Sequence, residues 1–443
     1  MTRNHNRPFA TAATVAGSTL SRRKVLAGLA ASPAVALLGA GAVDPAAAAG
    51  HHLPKITPVW SEAVRRSFGI CAHPTYMSRT YGAADSWLAL LKESGAAYFR
   101  GKYDPSARNT KEVTEFCRAN GIKWVMTLIP ENWKMTEVEL QSRLAHIRDN
   151  AADVCLAIEG INEPNHERDG GTPPADWAVR SVGYQKVIWD FRNATPKLKH
   201  VKVISPSLWI GAGQDVHAHF KTLADAGVTQ YIDYAGMHSY PGGAKPDNNV
   251  DKRLGWVRDL WGANIPFWAT ETGYTNALAT TSGFKPAPEE VAAVYGPRSI
   301  LTYFARGAMS TRYELLDDPD ASLTDQEAHF GLVRTPDLDP STWERKPEFE
   351  AIRKFQARLL DPVESYTPVP VRVRVSAPAD VKWMVVQKSN GNSRILAYRD
   401  VPVYDTATKS RLTPTAVPVT VTDARGTRVV EVGPDVRRIR IRD

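Results

Sequence analysis

Two glutamates in this 443-residue chain fall where an apolar run stops. In residues 156–165 the stretch Leu156-Ala157-Ile158-Glu159-Gly160-Ile161 ends in Asn162-Glu163-Pro164-Asn165. Pro164 cannot donate to a ladder, so a strand must end there and a loop begin, with the Glu163 carboxylate at the turn. About a hundred residues on, Pro266-Phe267-Trp268-Ala269-Thr270-Glu271-Thr272-Gly273-Tyr274 delivers a second glutamate in the same way. A pair of carboxylates at strand ends is the equipment of glycosidic cleavage, one protonating the leaving oxygen and the other attacking the sugar or activating water.

Such a pair needs a scaffold that brings distant strand ends together. From residue 68 to about 360, short apolar runs alternate with amphipathic segments of helical length, the pattern of repeated βα units on a parallel sheet. Eight runs are expected as strands: 68–72, 98–102, 124–129, 156–162, 201–205, 234–238, 267–271 and 312–317. Thr136-Glu137-Val138-Glu139 reads as a capping box and Pro288 before Glu289-Glu290 as a helix start. Gly95, Gly121, Gly227 and Gly307 each close a helical segment. Eight such units in this length fit a closed (β/α)8 TIM barrel of class α/β, with chemistry at the carboxyl ends of the strands. An open doubly wound sheet is the rival, but no glycine fingerprint of a dinucleotide site follows the first strand.

After Pro362 the period changes to two, with strands expected at 369–375, 381–387, 394–398, 417–422, 428–432 and 436–441 and a tight hairpin at Asn390-Gly391. This reads as a small C-terminal antiparallel β-sandwich. The expected organisation is therefore 1–49 leader, 50–361 barrel and 362–443 sandwich. The leader carries Ser21-Arg22-Arg23-Lys24-Val25-Leu26, a short Ala- and Gly-rich apolar run and Ala46-Ala47-Ala48, the make-up of a twin-arginine export signal. Its apolar run is too short to span a bilayer, so the mature protein is expected to be secreted, with no membrane association.

Net charge is +8, or +4 once residues 1–49, with five basic and one acidic side chain, are removed. That balance does not point to nucleic acid as a partner. Residues 362–443 hold fourteen Lys or Arg against eight Asp or Glu, read as solvated strand faces rather than an acidic docking surface. Three cysteines, Cys71, Cys117 and Cys155, allow one disulfide at most, and Cys71 and Cys155 sit in strands as small buried hydrophobes.

Asn162-Glu163-Pro164 ending strand four and Thr270-Glu271 ending strand seven resemble the clan A glycoside hydrolases, retaining enzymes on (β/α)8 barrels. The likeness is greatest to family 39, through Asn162-Glu163-Pro164-Asn165 and the appended sandwich, and next to family 5. The resemblance implies acid/base catalysis by Glu163, a nucleophilic Glu271, an Asn162 amide toward the sugar 2-hydroxyl, and no cofactor. It also implies that His238 and Tyr240, in the His-x-Tyr ending strand six, lie beside the nucleophile, where the phenol would hold Glu271 ionised. Arg100, ending strand two, either approaches the same carboxylate as in family 5 or forms a structural ion pair with Glu159. His73 binds sugar or caps a loop. Trp133, Trp209 and Tyr274 follow strands three, five and seven and offer either stacking faces or core packing. Glu314, Asp317 and Asp318 match no metal-ligand spacing.

Two features depart from the pattern. Ile161 stands where family 39 often has tryptophan, and strand eight lacks the tryptophan that family 5 places under the sugar. The expected activity is retaining hydrolysis of an oligo- or polysaccharide. The alternative is a non-catalytic carbohydrate-binding protein on a decayed barrel, against which the presence of both glutamates argues.

Overall fold

The computed structural model describes residues 53–442 apart from 129–132, 134, 167–171, 212–214, 282 and 284. The expected export signal lies outside the described residues. Eight parallel strands form the central sheet: β1 (Phe68–Cys71), β2 (Tyr98–Lys102), β3 (Lys123–Thr127), β4 (Cys155–Glu159), β5 (Lys202–Ile204), β6 (Ala235–His238), β7 (Phe267–Thr272) and β8 (Met309–Arg312). β8 pairs with β1, and a parallel bridge between Ile204 and Tyr234 joins β5 to β6, so the barrel closes. Helices follow the strands as α1 (Ala84–Ser94), α2 (Thr110–Asn120), α3 (Glu137–Asn150), α4 (Trp177–Ala194), α5 (Val216–Asp225), α6 (Val250–Trp261), α7 (Glu289–Phe304) and α8 (Pro347–Leu359).

Local signals hold where they act within a turn. Thr136 caps α3 reciprocally with Glu139, and Gly95 and Gly121 end α1 and α2 at φ 76° and 65°, a conformation in which a side chain would cost about 1–2 kcal/mol.

The barrel interior is layered, because alternate strand residues point inward. Tyr98, Val125, Ala157, Ile204 and Trp268 form an apolar layer. Two residues further along their strands, Arg100, Glu159 and Thr270 form a buried polar layer toward the carboxyl ends. The sequence thus fills the lower barrel with apolar volume and reserves the upper barrel for charge.

The eighth strand corrects the expectation of 312–317. It runs over Met309-Ser310-Thr311-Arg312, which has no apolar run to betray it. Its burial comes from partners: Tyr98 Oη donates to Ser310 O at 2.8 Å, and Trp268 Nε1 donates to Thr311 Oγ1 at 3.2 Å. The apolar Leu315-Leu316 that suggested a strand lies past the barrel rim, where Leu316 bridges Val333.

Beyond the barrel, one sheet contains Arg374–Ser376, Val417–Asp423 and Gly426–Val432. A second contains Val381–Gln387, Ser393–Arg399 and Arg437–Arg440, and the segment Val59–Trp60 ahead of β1 joins it in parallel beside Val386 and Gln387. Their inner faces share a core of Val373, Val381, Ile395, Ala397, Val419 and Val421. Arg298 of α7 ties barrel to sandwich, donating through Nη1 to Val401 O at 2.9 Å, with its guanidinium over the rings of Tyr295 and Tyr398. Cys71, Cys117 and Cys155 are all buried and free. No described helix is long and apolar enough to cross a membrane.

Candidate active site

Glu163 and Glu271 meet at the carboxyl ends of the strands. Asn162 bridges Ser207, and the chain then turns at Glu163, whose φ of 50° is left-handed. A non-glycine residue in that conformation costs about 1–3 kcal/mol, a cost typically found at functional positions. The register of β6 against β7 sets His238 beside Glu271, after an irregularity at Met237.

His238 stands between the two carboxylates. Its Nδ1 lies 2.7 Å from Glu163 Oε1 and its Nε2 3.3 Å from Glu271 Oε1, the latter without hydrogen-bond alignment. One donor atom from each of Glu163, His238 and Glu271 lies within 4.8 Å of the others. The two carboxylates therefore bring an oxygen each within 4.8 Å, close enough for both to reach one glycosidic bond. Burial opposes a charge on His238, but the Glu271 and Glu163 carboxylates outweigh it and raise the imidazole above its ordinary value.

Glu271 is held at both oxygens: Arg100 Nη1 donates to Oε1 at 2.7 Å and Tyr240 Oη to Oε2 at 2.7 Å. The guanidinium of Arg100 also donates to Glu159, and its Nη2 to Asn162 Oδ1 at 2.7 Å. The two contacts expected of Arg100 are therefore both realised, as one buried guanidinium bonds Glu271 and Glu159. Arg100 fixes the Asn162 amide oxygen, leaving Nδ2 as the donor for a ligand. Glu159 is fully buried and completes its bonding with Ser207 Oγ at 2.7 Å.

His73 is a rim residue, 19% exposed, with Nε2 2.9 Å from Glu314 Oε2 and its ring stacked on Tyr76. Trp209 is half-buried and stacks on His166 at 4.2 Å, while Asn165 Oδ1 accepts from its backbone N–H. That stack faces the Glu163 side, since His166 Nδ1 lies 3.7 Å from Glu163 Oε2. Trp133 is half-buried against the main barrel core.

Of its two expected readings, Tyr274 realises core packing and not a sugar-stacking face. It is buried, donates to Ala244 O at 3.1 Å and stacks on Tyr295 of α7 in a cluster with Val403 and Tyr404. The chain turns away from the barrel axis after Thr272, where the Arg312 guanidinium fills the space beside Gly273 and leaves no room for a Cβ there. The acidic residues near strand eight have partners of their own. Asp317 pairs with Lys346 at 2.8 Å, Asp318 with Arg79 at 2.7 Å, and Glu314 accepts from Tyr81 at 3.1 Å.

Tyr313 and Glu327 escaped the sequence reading. Tyr313 packs edge-on against Tyr240 and Phe330 beside Glu271 and holds the rim of β8. Its signal was its place directly after Arg312, hidden by the three-residue error in that strand. Glu327 lies three residues before Phe330, whose ring is 5.3 Å from Tyr240. Its residue surface is exposed, yet protein around the carboxyl first, and then the charges of Glu271, Glu163 and Glu314, push it up to about 7. Nothing in the local sequence marks it.

Among the described residues, Glu163, His238 and Glu271 form the one grouping whose donors could hold a metal ion. The Arg100 cation already occupies the Glu271 side, so a second cation there would meet direct repulsion.

No protein-family model and no curated protein matches the sequence. Solved structures do share the fold. SrfJ from Salmonella typhimurium superposes with a TM-score of 0.55 at 11% identity, covering 89% of this chain and 91% of that one. AbfB, a family 51 α-L-arabinofuranosidase from Bifidobacterium longum, superposes with a TM-score of 0.53 at 12% identity, covering 86% and 92%. A GH39 enzyme from Xanthomonas axonopodis pv. citri gives 0.47 at 13% identity over 78% and 73%. The fold this chain shares with them is an eight-stranded α/β barrel, here followed by antiparallel sheets.

Proposed function

We propose that this chain is an exported retaining glycoside hydrolase acting on an oligo- or polysaccharide, with Glu163 as acid/base and Glu271 as nucleophile. The observation that carries the proposal is the convergence of Glu163 and Glu271, from the ends of β4 and β7, with an oxygen of each within 4.8 Å of the other; the retaining course is inferred from the resemblance. Glu271 is the better nucleophile of the two because Arg100 and Tyr240 donate to its two oxygens, the bonding of an ionised carboxylate. Glu163 takes the acid/base role by the resemblance, and its Oε1 lies 2.7 Å from His238 Nδ1, with which it can exchange a proton.

In the first step Glu271 attacks the anomeric carbon and the bond to the leaving oxygen breaks as Glu163 gives that oxygen its proton. In the second, water yields a proton to Glu163 and displaces Glu271, and two inversions give net retention. Family 39 membership is part of the proposal and rests on Asn162-Glu163-Pro164-Asn165 with the sandwich. The test is a panel of aryl glycosides and polysaccharides with product configuration followed by NMR. Retention is expected; inversion, or no turnover of any glycoside by the folded protein, would remove the assignment. Export rests on the leader's sequence, and secretion undiminished by R22K with R23K would remove that part.

A further inference from the structure

The excess positive charge of residues 362–443 is gathered at one place. The Val381–Gln387, Ser393–Arg399 and Arg437–Arg440 sheet has one face in the sandwich core, through Val385, Ile395 and Ile439. Residues one step along the strands point the other way, toward α8. There Met384, Val386 and Leu396 pack with Phe355 and Leu359 in the main core. Where this face runs off the end of α8, arginines replace the apolar residues.

Arg394 lies directly across from Arg440, and Arg438 directly across from Leu396. Arg358 from α8 and Lys388, just past the end of the Val381–Gln387 strand, complete the group around a shallow cleft, with room for about 20 Å³ of water, that Phe355 and Leu359 also line. Like charges placed opposite each other in a sheet are destabilising. The repulsion is visible in the group itself: burial first, and then Arg438 with Arg440, lowers Arg394, while burial and then Arg358 lowers Arg438. Lys388 has Asp361 and Glu62 in range, but both already serve other partners, Asp361 with Ser389 and Trp60 and Glu62 with Arg65 and Arg66. Among the described residues no carboxylate pairs with Arg358, Arg394, Arg438 or Arg440.

Solvated strand faces, the reading composition favours, do not require four cations from two units to converge on one cleft. We propose that this cleft binds the clustered oxyanions of an acidic polysaccharide and anchors the protein to it away from the catalytic cleft. The C-terminal end of α8 lies at the opposite end of the barrel from the strand ends that carry Glu163 and Glu271, so binding here leaves the cleft open. Polyanionic character follows from charge complementarity, since several fixed guanidiniums suit repeated carboxylate, sulfate or phosphate groups. The choice of a polysaccharide over other polyanions rests on the proposed glycosidase activity.

Binding is measured directly on the full chain with polygalacturonate, inorganic phosphate, a single-stranded oligonucleotide and neutral dextran, at low and at moderate salt. Expected are salt-sensitive binding of polygalacturonate, none of dextran, and weakening of about tenfold or more in R394Q/R438Q. That double variant should unfold at equal or higher temperature than the parent, because repulsion is relieved, and should hydrolyse a small neutral glycoside at the parental rate. Failure of polygalacturonate to bind, binding unaffected by the substitutions, phosphate binding as tight as the polymer, or preference for the oligonucleotide would each overturn the inference. Because binding is read without turnover, a protein that binds polygalacturonate but cleaves no glycoside would overturn the catalytic proposal alone.

Discussion

Arg100 and Glu271 lie 2.7 Å apart through Nη1 and Oε1, and the same guanidinium is the buried counter-ion of Glu159. The position of the proposed nucleophile and the stability of the barrel interior thus rest on one side chain. Arg100→Ala should cost about 3–5 kcal/mol in urea unfolding, since it strands a buried carboxylate, and should abolish turnover as well. A loss below about 1 kcal/mol would show that Glu159 does not depend on this cation.

The two glutamates should fail differently. Glu271→Ala should be inactive on all glycosides, with azide giving a glycosyl azide of inverted configuration. Glu163→Ala should lose about 10²–10⁴-fold on poor leaving groups, retain glycosylation on very acidic ones, and release its intermediate to azide with retention. Mass spectrometry of the trapped intermediate on Glu271 checks the assignment.

Tyr240 and Tyr274 look alike in sequence, each an aromatic just beyond a strand end, but only one touches Glu271. Tyr240→Phe should lower kcat/KM by about ten- to a hundredfold by removing a hydrogen bond to a charged group. Tyr274→Phe should leave kcat/KM within about twofold and cost about 0.5–1.5 kcal/mol in stability. Equal kinetic losses in the two variants would place Tyr274 back in the site.

Glu327 should impose a titration near neutrality. Its carboxyl is raised from 4.5 to about 7, so the folded chain keeps this proton where the unfolded chain has lost it. The resulting stabilisation is complete below pH ~4.5 and lost as pH rises through about 7. Glu327→Gln should therefore match wild-type stability at pH 4, exceed it at pH 8, and remove an inflection near pH 7 from the kcat/KM profile. An unchanged inflection would assign it to another group.

Much of the molecule is decided within a few residues of chain. The turn at Pro164, the capping box at Thr136 and the Asn390-Gly391 hairpin, where Gly391 takes a φ of 80°, depend on neighbours in sequence, so residue order alone determines them. The same locality placed Glu163 and Glu271 at strand ends. What sequence could not decide depended on partners far along the chain. Met309-Ser310-Thr311-Arg312 is a strand because Tyr98 and Trp268 satisfy its polar atoms, and Tyr313 therefore reaches the cleft. Tyr274 faces Tyr295 because Arg312 fills the space beside Gly273. Arg358 joins Arg394 and Arg438 only through docking of the sandwich on α8. Periodicity says which residues are buried or at an end, but the direction of a side chain past the strand end is set by closure of the barrel and packing of the sandwich, which join residues hundreds of positions apart.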